Sequence, residues 1–253
     1  MKVLVAVPSK GRANEIQKDT LRWLKKTTKD YRVFVEPQDL RRYVDVGIDE
    51  RIIQRLSENN RGLGYAKKAI YEFAKANNYD CIFKVDDDVV GWYGADRKPA
   101  HEKSTQVFEQ AIQDGVEAFI KYGDVKAISY PYSFQMFEVK KWSVNQRLQS
   151  CYFVRTEWLN SDERFSCFED FATFILIRLN NGIVLRYGWA GIDCKRVGGN
   201  SGGCQSFNRA VQAREELKIL QGLYPALKIK KAKGKQWEYE PDLNDRFFGG
   251  KEL

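Results

Sequence analysis

Histidine is almost missing from this chain. His101 is the only one in 253 residues, and it lies in the polar stretch 96–104, which reads as a loop. That scarcity removes most Ser-His and Cys-His nucleophile schemes unless His101 itself is the base. Cysteine carries no motif either. Cys81, Cys151, Cys167, Cys194 and Cys204 are odd in number and include no Cys-x-x-Cys pair, which argues against a structural zinc site and more strongly against a disulfide framework. Long apolar runs are lacking as well. No stretch approaches the roughly 20 residues of a membrane span. The opening run 3–7 is too short for a signal peptide's apolar region and ends at Pro8 as a strand would. A soluble, cytoplasmic protein with no membrane association is the expectation.

What is present describes a folded enzyme-sized chain. Hydrophobic residues make up 43% and aromatics 13%, which is globular composition. The length suits one large α/β domain or two small ones, and no repeat or linker divides it. We therefore expect a single domain over 1–253 that ends in a basic segment. The net charge of +8 favours an anionic partner such as a nucleotide diphosphate, nucleic acid or anionic lipid.

Strand and helix patterns alternate, which predicts a mixed, mostly parallel sheet flanked by helices. Strands are expected at 3–7, 31–36, 52–53, 81–85, 125–132, 151–155 and 183–187. Helical faces are formed by Ile16, Thr20, Trp23, Leu24 and Thr27, with Asn14 as cap, and by Leu63, Ala66, Ile70, Phe73 and Ala74. Further helices are expected around 107–120, over 168–179 and over 206–220. The run 198–203 reads as a flexible or anion-cradling glycine loop.

The apolar strand 81–85 delivers Asp86, Asp87 and Asp88 to one point. Three adjacent carboxylates repel one another, and a hard cation such as Mg²⁺ or Mn²⁺ would relieve that repulsion. Strand alternation sends Asp86 and Asp88 to one side and Asp87 to the other. The plain alternative is an acidic turn that ends the strand. Three further segments keep meaningful order with this one. Pro8-Ser9-Lys10-Gly11-Arg12 follows the first strand, where open α/β sheets bind ligands. Asn59-Asn60-Arg61-Gly62-Leu63-Gly64 opens a helix whose glycines and free amides could admit an anion. Glu169-Asp170 sits among phenylalanines, where burial can raise a carboxyl's pKa and make it a general base. Each has a plainer reading, as a basic turn, helix-start punctuation and a dipole-favoured acidic pair respectively.

Together these segments resemble the GT-A (Rossmann-like) nucleotide-sugar glycosyltransferases over roughly residues 1–190. The opening Val-Ala-Val-Pro strand, Asn60-x-Gly62-x-Gly64-x-Ala66-Lys67, an Asp86-Asp87-Asp88 DXD motif and the Glu169-Asp170 pair carry the resemblance. Within that fold the opening Val7-Pro8-Ser9-Lys10-Gly11-Arg12-Ala13 and the basic balance look most like the bacteriophage TET-associated branch, which decorates hydroxymethylated pyrimidines in DNA. The resemblance implies that Asp88 coordinates Mn²⁺ or Mg²⁺ directly and that Asp86 reaches the metal through water or contacts the ribose. It implies a nucleotide-sugar site, UDP-sugar favoured, at Pro8, Ser9, Lys10, Arg12, Glu36, Asn60, Gly62, Gly64, Lys67, Asp86 and Asp87. Asp170, or else Glu169, becomes the catalytic base of an inverting transfer. The resemblance also implies a nucleotide-sugar-binding half over 1–100 and an acceptor-binding half over 101–253. One departure is the missing late histidine ligand, for which Asp193, Asn200, Ser201 or water would have to substitute.

For a double-stranded DNA acceptor the candidate cations are Lys140, Lys141, Arg147, Lys195, Arg196 and the lysines of 228–235, with Trp142, Trp189 and Trp237 as stacking groups. Rival readings are the same fold acting on a glycan, lipid or protein, a sugar-1-phosphate nucleotidyltransferase, and a non-catalytic basic DNA-binding module. The sugar, the base and the oligomeric state stay open.

Overall fold

In the computed structural model, which describes residues 1–96, 103–136, 140–144, 147–194, 208–232 and 238–243, the opening apolar run lies inside the sheet. The first half runs β1 (Val3–Ser9), α1 (Ala13–Lys18), α2 (Thr20–Leu24), β2 (Asp30–Val35), α3 (Leu40–Asp45), β3 (Ile53–Arg55), α4 (Gly62–Ala76) and β4 (Cys81–Lys84). It continues with β5 (Val89–Tyr93), α5 (Ser104–Lys121), β6 (Val125–Ser129), β7 (Trp142–Val144), β8 (Tyr152–Arg155), α6 (Glu169–Leu179) and β9 (Ile183–Tyr187). Last come β10 (Gly191–Cys194), α7 (Arg209–Leu223), β11 (Ile229–Lys231) and β12 (Tyr239–Pro241).

Eight strands form the main sheet in the order β3-β2-β1-β4-β8-β6-β9-β7. The pairings make β8 and β7 antiparallel to the rest, so six strands share one direction. This is the expected fold class, a mixed, mostly parallel sheet with helices on its faces. β1 is buried along nearly its whole length, as a central strand covered on both faces must be. Alternation divides its side chains between two cores. Val5 and Val7 join Ile16, Trp23, Tyr43, Phe83 and Phe108 on the α1, α2, α3 and α5 side. Leu4 and Ala6 join Ile70 and Ala74 of α4 and Phe174 and Ile177 of α6. The opposite face of α6, Phe171 and Ile175, packs on Leu217 and Leu220 of α7. α6 is therefore apolar on both sides, as a buried helix requires.

Strand order proceeds outward from β1 through β2 on one side and through β4 on the other. The crevice beyond the ends of β1 and β4 is thus the switch point where open α/β sheets take ligands.

Several expected elements shift. The first helix breaks in two at Asp19 because Thr20 is used elsewhere, and the cap position is Arg12, with Asn14 inside the helix. The strand expected over 125–132 ends at Ser129, shortly before Pro131, which has no N–H to give a ladder. The last helix begins at Arg209, capped by the Asn208 side chain accepting from the Val211 N–H. β5 and β10, an antiparallel pair, were not expected, nor were α3, β7 or the β11–β12 hairpin. Their runs are short, or mix polar and apolar residues without a clear period. His101, Lys195, Arg196, the glycine loop 198–203, Lys233, Lys235 and Trp237 lie outside the described residues. Among the described residues no helix is long and apolar enough to cross a membrane.

Candidate active site

The crevice is laced together by the end of β1 and the turn after β4. The Ser9 hydroxyl donates to Asp87 Oδ2 at 2.6 Å, so its lone pair is left to accept from the Tyr43 hydroxyl at 2.7 Å. Arg12 Nη1 donates to Asp87 Oδ1 at 2.6 Å and lies 3.5 Å from Asp88 Oδ2. The turn itself is pinned by Thr20, whose hydroxyl donates to the Asp86 carbonyl at 2.9 Å and accepts from the Val89 N–H at 3.1 Å. That duty explains the break between α1 and α2.

The three aspartates divide accordingly. Asp87 is buried and pairs with Ser9 and Arg12, which ties the turn to the end of β1. The side chains of Asp86 and Asp88 keep 29% and 23% exposure. Burial, and then the charges of Asp86 and Asp87, push the Asp88 carboxyl up to about 7. A carboxylate pair under this repulsion is a donor set that favours a hard divalent cation.

A ledge flanks the crevice at the ends of β1 and β2. Pro8 stands opposite Phe34 in the β1–β2 register. Lys10 Nζ is 3.2 Å from Glu36 Oε1 and donates to Asn60 Oδ1 at 2.8 Å. Asn60 takes a left-handed φ of 59°, which asparagine tolerates better than most residues. Lys10, Glu36 and Asn60 are thus brought together, with Pro8 at the same end of the sheet.

The glycines of α4 admit a close approach of another part of the chain. A Cβ on Gly64 would lie 2.4 Å from the Glu163 carbonyl oxygen and 2.5 Å from that of Phe165. One on Gly62, whose φ is +85°, would lie 2.7 Å from Ser166 Oγ. The close approach they permit is that of the chain's own 163–166 segment. Lys67 is likewise turned inward. It is 1% exposed and donates to the Glu169 carbonyl at 2.9 Å.

Glu169 sits at the centre of a buried cluster. Lys84 Nζ is 3.2 Å from its Oε1, Lys67 Nζ is 3.4 Å from its Oε2, and the Tyr152 hydroxyl donates to Oε2 at 2.9 Å. Burial opposes its ionisation, but Lys84, Lys67 and Tyr152 outweigh burial and hold it down at about 2. Asp170 makes a local bond from the Phe171 N–H at 2.9 Å and stays partly exposed. Burial, and then the Glu169 charge, push it up to about 6, against the pull of Arg147. Of the acidic pair, Glu169 is committed as an ion-pair partner, while Asp170 is poised to take a proton near neutral pH.

Lys84 went unnoticed in the sequence, although a lysine inside the run Cys81-Ile82-Phe83-Lys84-Val85 is a visible signal. It is 3% exposed, lies 2.5 Å from Asp86 Oδ1, and donates to the Ser150 carbonyl at 3.0 Å. Through it the Asp86 turn and the start of α6 form one electrostatic unit.

Residues 3–195 match the sequence model of the TET-associated glycosyltransferases. The chain belongs to that family. Its membership makes it a glycosyltransferase. No curated protein matches it. Among solved structures, S. aureus TarS 1–349 superposes with a TM-score of 0.50 at 16% identity, covering 76% of this chain and 59% of that one. The chain thus spans less than two thirds of that relative, and the likeness shows the fold alone. A longer TarS structure from S. aureus gives a TM-score of 0.47 at 16% identity, covering 76% of this chain and 36% of that one. A197 from STIV gives 0.45 at 14% identity, covering 78% and 86%.

GT-A glycosyltransferases generally use a nucleotide-sugar donor and a divalent cation. Among the described residues no group of three or more His, Cys, Asp or Glu is arranged to hold a metal. The Asp86–Asp88 pair still fits a hard cation whose remaining ligands are phosphate and water. β10 returns beside the turn, with Asp193 opposite Gly91 and Cys194 opposite Val89. Asn200 and Ser201 lie outside the described residues. Burial pushes the Cys151 and Cys194 thiols up, the nearby Asp86 adding to it in both, which keeps them protonated and unsuited as nucleophiles.

Proposed function

We propose that this family member transfers a sugar from a UDP-sugar to the hydroxyl of a 5-hydroxymethylpyrimidine in double-stranded DNA, inverting the anomeric carbon. The observation that carries the reading is the division of labour at the start of α6. Glu169 is neutralised by two lysines, and Asp170 beside it is raised and partly exposed. In the reaction the acceptor oxygen bonds to the sugar's anomeric carbon as the bond to the diphosphate breaks. The hydroxyl proton passes to the Asp170 carboxylate, and the nucleoside diphosphate leaves. Asp86 and Asp88 would hold Mn²⁺ or Mg²⁺, which supplies charge neutralisation for the leaving diphosphate. Pro8, Lys10, Glu36 and Asn60 form the nucleotide ledge, and Ser9, Arg12 and Asp87 hold the metal turn in shape. The first 100 residues carry the donor half, and the rest carry the acceptor half. Lys140, Lys141, Arg147 and the exposed Trp189 would contact DNA, for which Lys141 must give up Asp114 and the Trp189 ring it covers, and Arg147 must give up Glu240.

The test is transfer to hydroxymethylcytosine-containing and unmodified duplexes with pooled nucleotide sugars and Mn²⁺, followed by nucleoside mass spectrometry. A hexose- or pentose-sized gain on the hydroxymethylated nucleoside alone is expected, and Asp88→Asn should lose it by about 100-fold or more. Metal-dependent donor hydrolysis without that gain would move the acceptor to a glycan, lipid or protein. DNA binding indifferent to Asp88→Asn, with no donor turnover, would leave a binding module.

A further inference from the structure

The family match ends at residue 195, yet a residue of α7 reaches the backbone that introduces Glu169 and Asp170. Glu216 is 0% exposed. Its carboxylate accepts from three successive N–H groups: Ser166 at 2.8 Å, Cys167 at 3.0 Å to each oxygen, and Phe168 at 2.8 Å. Gln212 adds a fourth donor at 3.0 Å. Successive amides converging on one anion form a nest, and here the anion belongs to the protein. A neutral serine or asparagine could satisfy one of these amides at much smaller desolvation cost. A buried carboxylate instead fixes all three at once and so sets the direction in which the chain enters α6.

The consequence reaches the reacting group. The Phe168 carbonyl accepts the first α-helical bond, from the Ala172 N–H at 2.8 Å, so holding Phe168 holds the turn that carries Glu169 and Asp170. Ser166 also accepts the Gly64 N–H through its hydroxyl at 3.1 Å, which links the same segment to α4 and thus to Lys67. Leu217 and Leu220 pack α7 on Phe168, Phe171 and Ile175, so the carboxylate is delivered by a rigid element.

We propose that Glu216 is a positioning residue for the transfer reaction, fixing the 166–168 backbone so that Asp170 meets the acceptor hydroxyl in reacting geometry. The proposal rests on the reading of Asp170 as base. It also makes α7, outside the matched region, part of the catalytic unit.

The test compares Glu216→Gln and Glu216→Ala with Asp170→Asn in the full chain. It uses the donor and duplex that support transfer, and adds amide hydrogen exchange, which needs neither. Gln keeps the reach but turns an NH₂ toward the amides. A loss of kcat of roughly tenfold for Gln and 100-fold for Ala is expected, the scale of an ångström-sized misplacement. Donor KM should stay within about twofold of the parent, the thermal midpoint of the Gln variant should stay close to it, and exchange at 166–168 should quicken while β1 and β4 stay protected. Should Glu216→Ala fail to fold, the Gln variant decides. Unchanged exchange at 166–168 in Glu216→Gln, or a kcat loss matched by an equal loss of donor affinity, overturns the proposal. Normal turnover in Asp170→Asn removes the base reading and this inference with it. An inactive Asp170→Asn beside fully active Glu216→Gln and Glu216→Ala removes this inference alone.

Discussion

At the turn after β4, Asp87 and Asp88 face the Arg12 guanidinium and Asp86 pairs with Lys84, whereas at the start of α6 two carboxylates face Lys67, Lys84 and, through space, Arg147. Each site locks one carboxylate inside, Asp87 in the first and Glu169 in the second. The neighbours left partly exposed differ in what they lack. Asp86 pairs with Lys84 and Asp88 lies 3.5 Å from Arg12, yet three carboxylates here meet two cations, and on the reading proposed above a divalent cation would complete them. Asp170 is short of solvent and sits beside another anion, so a proton is what it takes up near pH 6. On the proposed reading, the same residue type serves as metal ligand or as base according to how many fixed cations the fold places around it.

The comparison is broken most directly at its exposed member. Asp170→Asn should lower kcat by about 10²- to 10⁴-fold, the usual worth of a general base, with donor KM unchanged in steady-state kinetics. The parent enzyme's rate should fall about tenfold per pH unit below about pH 6, because a carboxyl raised to about 6 accepts a proton only above it. In Asp170→Asn the residual rate should lose that acidic limb. A limb that persists would assign it to another group.

Breaking the locked member should act on stability first. Glu169→Gln leaves Lys67 and Lys84 buried with too little negative charge between them, which should cost about 3–5 kcal/mol. Urea unfolding measures this, and a loss under about 1 kcal/mol would mean that the lysines are satisfied by the Glu169 and Ser150 carbonyls and Asp86 instead. The smallest effect sharpens the contrast from outside. Gly64→Ala pushes on the Glu163 and Phe165 carbonyls and should destabilise by about 1–3 kcal/mol as an overpacking change. It should lower kcat while sparing donor KM. A selective rise in donor KM would return Gly64 to the nucleotide site.

The fold class and the order of the acidic and basic segments were legible because they are local. Apolar runs of strand length, helical stripes and an aspartate triplet at a strand's end need no partner to be seen. Glycine was legible only as a signal of close approach. What approaches, a ligand or the 163–166 segment, depends on residues about 100 positions away. Lys84 and Glu216 were missed for a related reason. A charged residue within an apolar stretch, or on a helix of mixed charge, shows its meaning only once its distant partners are placed.

The sequence by itself thus determined which residues could bear charge, where the main buried strands lie, and that three aspartates meet at one turn. These follow from residue type and spacing. The tertiary structure decided which of those charges are spent. It turned Asp87 onto Ser9 and Arg12, Glu169 onto Lys67, Lys84 and Tyr152, and Glu216 onto three backbone amides. Asp86, Asp88 and Asp170 kept part of their side chains exposed, and the proposed function assigns its chemistry to them. Ionisation depends on burial and on charges a few ångströms away, and those distances exist only in the folded chain.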